Sequence, residues 1–145
     1  MVTGTNGKST TCKLLAHLLK RNKIKFSIGG NIGTPILETK NSKNSYVIIE
    51  ASSFQLSHSQ FIRPDFAFLT NITNDHLDWH GNMKNYINSK FKIFKIQKKN
   101  HYCFLNKKLK INYTGVELFK STLTLSVAEP DAELMSELQQ LLKNG

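Results

Sequence analysis

The sequence predicts an α/β fold in which a mainly parallel sheet is flanked by helices. Three observations carry that expectation. Short apolar strand candidates alternate along the chain with segments of helical periodicity, the order expected of βαβ units. Two of those runs, Tyr46-Val47-Ile48-Ile49 and Phe66-Ala67-Phe68-Leu69, are apolar without interruption, as strands covered on both faces are. A glycine-bearing loop, Thr3-Gly4-Thr5-Asn6-Gly7-Lys8-Ser9-Thr10-Thr11, leads straight into an amphipathic segment.

Each element follows in order. Lys8 to Arg21 reads as a helix with Cys12, Leu15, Leu18 and Leu19 on one face. Lys25–Ile28 is a short strand candidate ending at Gly29-Gly30, and Tyr46–Ile49 is the next strand. Phe66–Leu69 is entered through Pro64, Met83 to Lys95 has helical spacing, and His101–Leu105 reads as a further strand. Residues 115–128 alternate loosely, as a strand would. From Pro130 a last helix is signalled by Pro at its start, Asp131 and Glu133 in the first turn, and a stripe of Leu134, Leu138, Leu141 and Leu142. A phosphate loop normally hangs from a buried strand. With only Met1 and Val2 ahead of this one, that strand is expected to be missing from the chain, so that either the sequence is a truncated piece or another segment supplies the strand.

Composition narrows the class. The chain has 145 residues, 39% hydrophobic and 21% charged, enough for one sizeable core. Its formal net charge is +10, from 20 Lys and Arg against 10 Asp and Glu. Residues 1–128 carry 19 basic and 6 acidic side chains, whereas 129–145 carry Lys143 against Glu129, Asp131, Glu133 and Glu137. The basic residues are dispersed and almost all lysine, in a chain also rich in Asn and Ile, so the charge reads as compositional bias on a solvated surface. No nucleic-acid-binding motif accompanies it, and neither nucleic acid nor a membrane is an expected partner. Cys12 and Cys103 have no disulfide or metal-ligand spacing and fit a reducing cytoplasm.

Four segments carry chemistry. In the first, the glycines of residues 3–11 let successive backbone N–H groups face one anion, and the helix that follows adds its dipole. Gly4, Thr5, Asn6, Gly7, Lys8, Ser9 and Thr10 would cradle phosphates, with Lys8 neutralising charge and the Ser9 hydroxyl ligating Mg²⁺. The second is Glu50, at the carboxyl tip of Tyr46–Ile49 and ahead of Ala51-Ser52-Ser53-Phe54-Gln55-Leu56. It reads either as a Mg²⁺ ligand at the ligand-binding edge of the sheet or as a carboxylate stabilised by a helix N-terminus.

The third follows the strand Phe66–Leu69: Thr70-Asn71-Ile72-Thr73-Asn74-Asp75-His76-Leu77-Asp78-Trp79-His80. Its acidic and histidine residues superficially suggest zinc, but no paired Cys or further His motif completes such a site. His76 reads as a participant at the same sheet edge or as a hydrogen-bonded structural residue. The fourth is Lys90, which shares a helical stripe with Met83, Ile87 and Phe94 and so interrupts an apolar face. Either its stem packs while the ammonium reaches solvent, or the amine is buried with a lowered pKa.

Together the segments resemble the central ATP-binding domain of the Mur ligases, a P-loop NTPase-like α/β domain of the cytoplasmic enzymes that build the peptidoglycan stem peptide. The matching motifs run from Thr3–Ser9 through Asn71–Asp78 to Tyr86–Phe94. Gly29-Gly30-Asn31-Ile32-Gly33 and Glu50-Ala51-Ser52-Ser53-Phe54-Gln55-Leu56 look like the D-glutamate-adding branch. The resemblance implies that Lys8 and Ser9 serve ATP phosphates and Mg²⁺, that Glu50 and His76 bind metal, and that Asn31 and Ser52 contact the UDP-muramoyl substrate. It also implies that Lys90 is carbamylated by CO₂ and helps hold Mg²⁺. The implied reaction is ATP-dependent amide formation through an acyl phosphate, joining D-glutamate to UDP-N-acetylmuramoyl-L-alanine, by a monomer.

On that basis residues 1–114 are expected to be part of a central domain and 115–145 an unassigned tail. Two other readings stay open: a stand-alone nucleotide-binding module without ligase activity, and, less favoured, a basic nucleic-acid-binding protein.

Overall fold

The computed structural model describes residues 1–40, 42–43, 45–98 and 100–106, together with the strand at 122–125. The helix expected from Pro130 lies outside the described residues, as does most of the 115–145 tail.

Six strands form one sheet: β1 (Val2–Thr3), β2 (Phe26–Gly30), β3 (Tyr46–Glu50), β4 (Phe66–Leu69), β5 (Tyr102–Asn106) and β6 (Thr122–Leu125), in the order β2-β3-β1-β4-β5-β6. Every pairing is parallel. Among the described residues the α-helices are α1 (Lys8–Arg21), α2 (Ser53–His58), α3 (Leu77–His80) and α4 (Met83–Phe91).

The first strand of the chain is thus central in the sheet. The strand expected to be missing is present as Val2–Thr3, and both residues are fully buried. Two residues suffice because β1 lies between two neighbours. The Val2 carbonyl accepts from the Ala51 amide at 2.9 Å, and the Thr3 carbonyl from the Thr70 amide at 3.0 Å. The chain continues from β1 through α1 to the β2–β3 side, while β4, β5 and β6 lie on the other. The loop after Thr3 therefore opens at the carboxyl edge where the strand order reverses, the place α/β sheets offer to ligands.

Both faces of the sheet are covered, as uninterrupted apolar strands require. On one face Val2, Cys12 and Ile48 pack with Leu15, Leu19, Phe26, Ile28 and Phe68 under α1. On the other, Ala51, Leu56, Ala67, Leu69, Phe91, Ile93, Phe94 and Cys103 form the core beneath α2 and α4. Residues 67–69 alternate between the two, as strand geometry dictates. The thiols of Cys12 and Cys103 are free and buried, and burial raises their pKa to about 12 and about 11.

Three expectations shift. Tyr46 is 48% exposed, and the aromatic rings at the amino ends of β3, β4 and β5 pack on one another, Tyr46 on Phe66 and Phe66 on Tyr102. Leu18 faces outward from α1. The second long helix ends at Phe91, with turns continuing to residue 96. Its buried side is centred on Tyr86, Ser89, Lys90 and Phe91, whereas Met83 and Ile87 are half-buried.

Candidate functional site

The phosphate-loop segment folds as its glycines allow. Gly4 sits at φ +152° with its backbone against Thr70 and Asn71, and Gly7 takes φ +79° immediately before α1. Gly7 gives α1 no side-chain cap, and the first turn contains no acidic residue. The amides of that turn have no intrahelical acceptor, so they form an unsatisfied, positively polarised end facing the loop. Ser9 is half-buried and Thr10 exposed in this first turn.

The loop after β4 holds the phosphate loop from the other side. The Asn71 side chain accepts from the Asn6 amide at 2.9 Å and donates to the Asn6 carbonyl at 3.0 Å. The Thr70 hydroxyl donates to the same carbonyl at 2.7 Å, and the Thr5 amide donates to the Asn71 carbonyl at 3.0 Å. The motif at 70–75 is therefore a scaffold for residues 4–6.

Two lysines converge on this loop. Lys8 Nζ donates to the carbonyls of Gly4 (3.0 Å) and Thr5 (2.7 Å). Lys90 Nζ reaches across from α4 to the Gly4 carbonyl at 2.8 Å and lies 4.7 Å from the centre of the Tyr86 ring. Lys90 is 2% exposed, which excludes snorkelling. Burial, reinforced by the charge of Lys8 and opposed by Asp75, lowers its pKa from 10.5 to about 8.

Glu50 is 1% exposed at the tip of β3. Its Oε1 accepts from Asn31 Nδ2 at 3.0 Å, and its main-chain carbonyl accepts from the Asn31 amide at 2.9 Å. Oε2 is buried without a hydrogen-bond partner. A buried carboxylate oxygen left bare is costly unless a cation or donor meets it, so Glu50 fits a metal ligand. Among the described residues no group of three or more His, Cys, Asp or Glu side chains converges into a cage.

Other expected residues have visible local duties. Asn31, expected at substrate, is exposed but tied to Glu50. Ser52, also expected at substrate, caps α2: its hydroxyl accepts from the Gln55 amide at 3.2 Å, and the Gln55 side chain accepts from the Ser52 amide at 3.0 Å. His76 has left-handed backbone geometry at φ +52° and is half-exposed, with Asp75 at 3.4 Å and the Phe54 ring at 4.8 Å. His80 is buried with Nε2 3.0 Å from the Ser53 hydroxyl, and burial lowers its pKa. Two features escape residue-by-residue reading: the Asn31–Glu50 pairing and the Tyr86 hydroxyl on Thr5, at 3.0 Å. Tyr86 precedes Lys90 by one helical turn, a signal that could have placed both on one face.

A parallel α/β sheet, with an uncapped helix behind a glycine loop at the switch point and the side chains of Lys8 and Lys90 meeting on that loop, is the architecture of a nucleotide-binding α/β domain. The chain belongs to the Mur ligase family: the model of the Mur ligase middle domain matches residues 2–141. It is 50% identical over 105 residues to UDP-N-acetylmuramoylalanine–D-glutamate ligase of Rickettsia bellii, covering 72% of this chain and 23% of that protein. It is 42% identical over 144 residues to the protein of the same name from Rickettsia felis, covering 99% of this chain and 30% of that one. The chain thus spans less than a third of the length of these relatives. Among solved structures it is similar to MurF ligase from Thermotoga maritima in complex with ADP, at 30% identity and a TM-score of 0.58, covering 72% of this chain and 27% of that chain. Mur ligases are ATP-dependent amide ligases of peptidoglycan precursor synthesis. No described helix is long and apolar enough to cross a membrane.

Proposed function

We propose that this chain is the ATP-binding part of a ligase that joins D-glutamate to UDP-N-acetylmuramoyl-L-alanine. The observation that carries the reading is the convergence of Lys8 and Lys90 on the Gly4 carbonyl, beside the uncapped N-terminus of α1. The Rickettsia relatives, named for the D-glutamate reaction, support this choice of substrates.

The loop amides of Gly4–Thr10 and Lys8 would bind the ATP phosphates and stabilise negative charge as a phosphoryl group passes to the substrate carboxylate. Ser9, Glu50 and His76 would hold Mg²⁺, which when bound neutralises phosphate charge. The bare Oε2 of Glu50 supports its share in this. Asn31 and Ser52 would lie along the muramoyl substrate, with Asn31 also steadying Glu50.

Lys90 is suited to carbamylation. Its lowered pKa leaves a fraction of neutral amine near pH 7, whose lone pair can attack the carbon of CO₂, forming a C–N bond and releasing one N–H proton to solvent. The remaining N–H can still donate to Gly4. The exchange of a cation for an anion would turn repulsion between Lys90 and Lys8 into attraction, and the carbamate would join the metal ligands. A monomer suits this scheme.

Two measurements test the reading. Calorimetric titration of the full chain with ADP and Mg²⁺ should show binding. Supplying the remaining domains of a D-glutamate-adding relative should give phosphate release that needs both UDP-N-acetylmuramoyl-L-alanine and D-glutamate. Nucleotide binding without such release would favour the stand-alone module.

A further inference from the structure

We infer that Tyr86 is a positioning residue that sets the phosphate loop against α4 through the Thr5 hydroxyl. Tyr86 is fully buried, with its hydroxyl 3.0 Å from Thr5 Oγ. Thr5 Oγ also accepts from the Thr73 amide at 3.0 Å and lies 3.3 Å from the Thr73 carbonyl. Thr5 has one hydroxyl proton and two lone pairs. With that proton on the Thr73 carbonyl and the Thr73 amide on one lone pair, the remaining acceptor position takes the Tyr86 hydroxyl as donor; with the proton turned to Tyr86, the same two hydroxyls are joined in the opposite sense. Burial raises the pKa of Tyr86, which keeps its hydroxyl protonated.

The same side chain meets two more parts of the site. Its ring lies beneath Lys90 Nζ at 4.7 Å and edge-on to His80 at 5.1 Å. The Thr5 main chain, in turn, accepts from Lys8 and donates to Asn71. A single buried hydroxyl pair therefore joins the phosphate loop, the 70–75 loop and the lysine-bearing helix. Such a closed network acts as a unit, so its members should not contribute independently.

The structural part of this inference stands on the ligand-free chain, whereas its consequence for nucleotide rests on the functional reading above. The test compares Tyr86→Phe, which keeps the ring, with Thr5→Val, Thr5→Ser and the double variant Tyr86→Phe/Thr5→Val, all in the full chain. Hydrogen exchange without ligand should be about tenfold faster at the Thr73 amide and at residues 5–7 in Tyr86→Phe, with exchange in the β3 and β4 strands unchanged. Thr5→Ser should exchange like the parent, and the double variant should be no faster than Thr5→Val. ADP should bind Tyr86→Phe about three- to tenfold more weakly. Parental exchange at Thr73 in Tyr86→Phe, or fully additive effects in the double variant, would overturn the inference. Failure of the parent chain to bind ADP would instead overturn the functional reading, and the exchange measurements would still decide the role of Tyr86.

Discussion

Lys8 and Lys90 donate to the same carbonyl oxygen, that of Gly4, at 3.0 and 2.8 Å. One lysine opens α1 directly after the glycine loop, and the other belongs to α4. Two cationic side chains thus share one acceptor, and burial together with the charge of Lys8 lowers the pKa of Lys90.

The first prediction concerns the pH dependence of stability. The pKa of Lys90 falls from 10.5 to about 8 on folding. Between those values the unfolded chain binds more protons, so Lys90 makes stability rise with pH. Its destabilising effect is complete below pH 8 and corresponds to at most about 3 kcal/mol. Cys12 and Cys103, raised to about 12 and about 11, act in the opposite sense above their unfolded value of 9.0. The informative quantity is therefore the difference between the parent and Lys90→Met in urea unfolding. The variant should be the more stable at pH 7, with the gap closing as pH rises past 8. A gap independent of pH would contradict a buried ammonium.

Glu50→Gln separates metal binding from folding. The amide oxygen can still accept from Asn31, while the bare anionic oxygen is lost. The strengthening of ADP binding by Mn²⁺, used as a probe, should fall by at least about tenfold. The melting temperature should change little, because the bond from Asn31 is kept and the replaced oxygen has no hydrogen-bond partner to lose. An unchanged Mn²⁺ effect would mean that Glu50 is not a ligand.

Two glycines should respond differently to alanine. Gly30 has φ +108°, and an added Cβ would lie 2.2 Å from the backbone oxygen of Glu50, so Gly30→Ala should lose more than about 3 kcal/mol. Gly7 has φ +79° with open space around it, so Gly7→Ala should lose only about 1 kcal/mol through backbone strain. Urea denaturation of the two variants measures both. Equal losses would show that close approach to Glu50 is unimportant.

Lys8→Met should weaken ADP binding about 10- to 100-fold, the range for a hydrogen bond to a charged group. Stability should fall by about 1 kcal/mol, since the Gly4 carbonyl keeps its bond from Lys90 and only the Thr5 carbonyl loses its donor. Calorimetry and thermal melting of one preparation give both numbers. Parental ADP affinity would remove Lys8 from the phosphate site.

Much of the fold was legible because its signals are local. The extent of α1 and β4 follows from glycine placement, amphipathic spacing and apolar runs, each acting over a few residues. The glycine loop running into α1 was legible for the same reason, since its glycines, its lysine and the helix start lie within nine positions. The two-residue β1 was not, because its stability comes from strands β3 and β4 on either side, which are distant in sequence.

The chain's sequence by itself determined the α/β class, the glycine loop that can face an anion, and the lysine set among apolar residues. Tertiary structure decided how those pieces are used. It buried Lys90 against Gly4, turned Asn31 onto Glu50 so that one carboxylate oxygen stays bare, assigned Ser52 to a helix cap, and closed Tyr86 onto Thr5. The physical reason is that desolvation and hydrogen-bond partnership depend on neighbours brought together by sheet order, whereas periodicity and turn chemistry depend on neighbours along the chain.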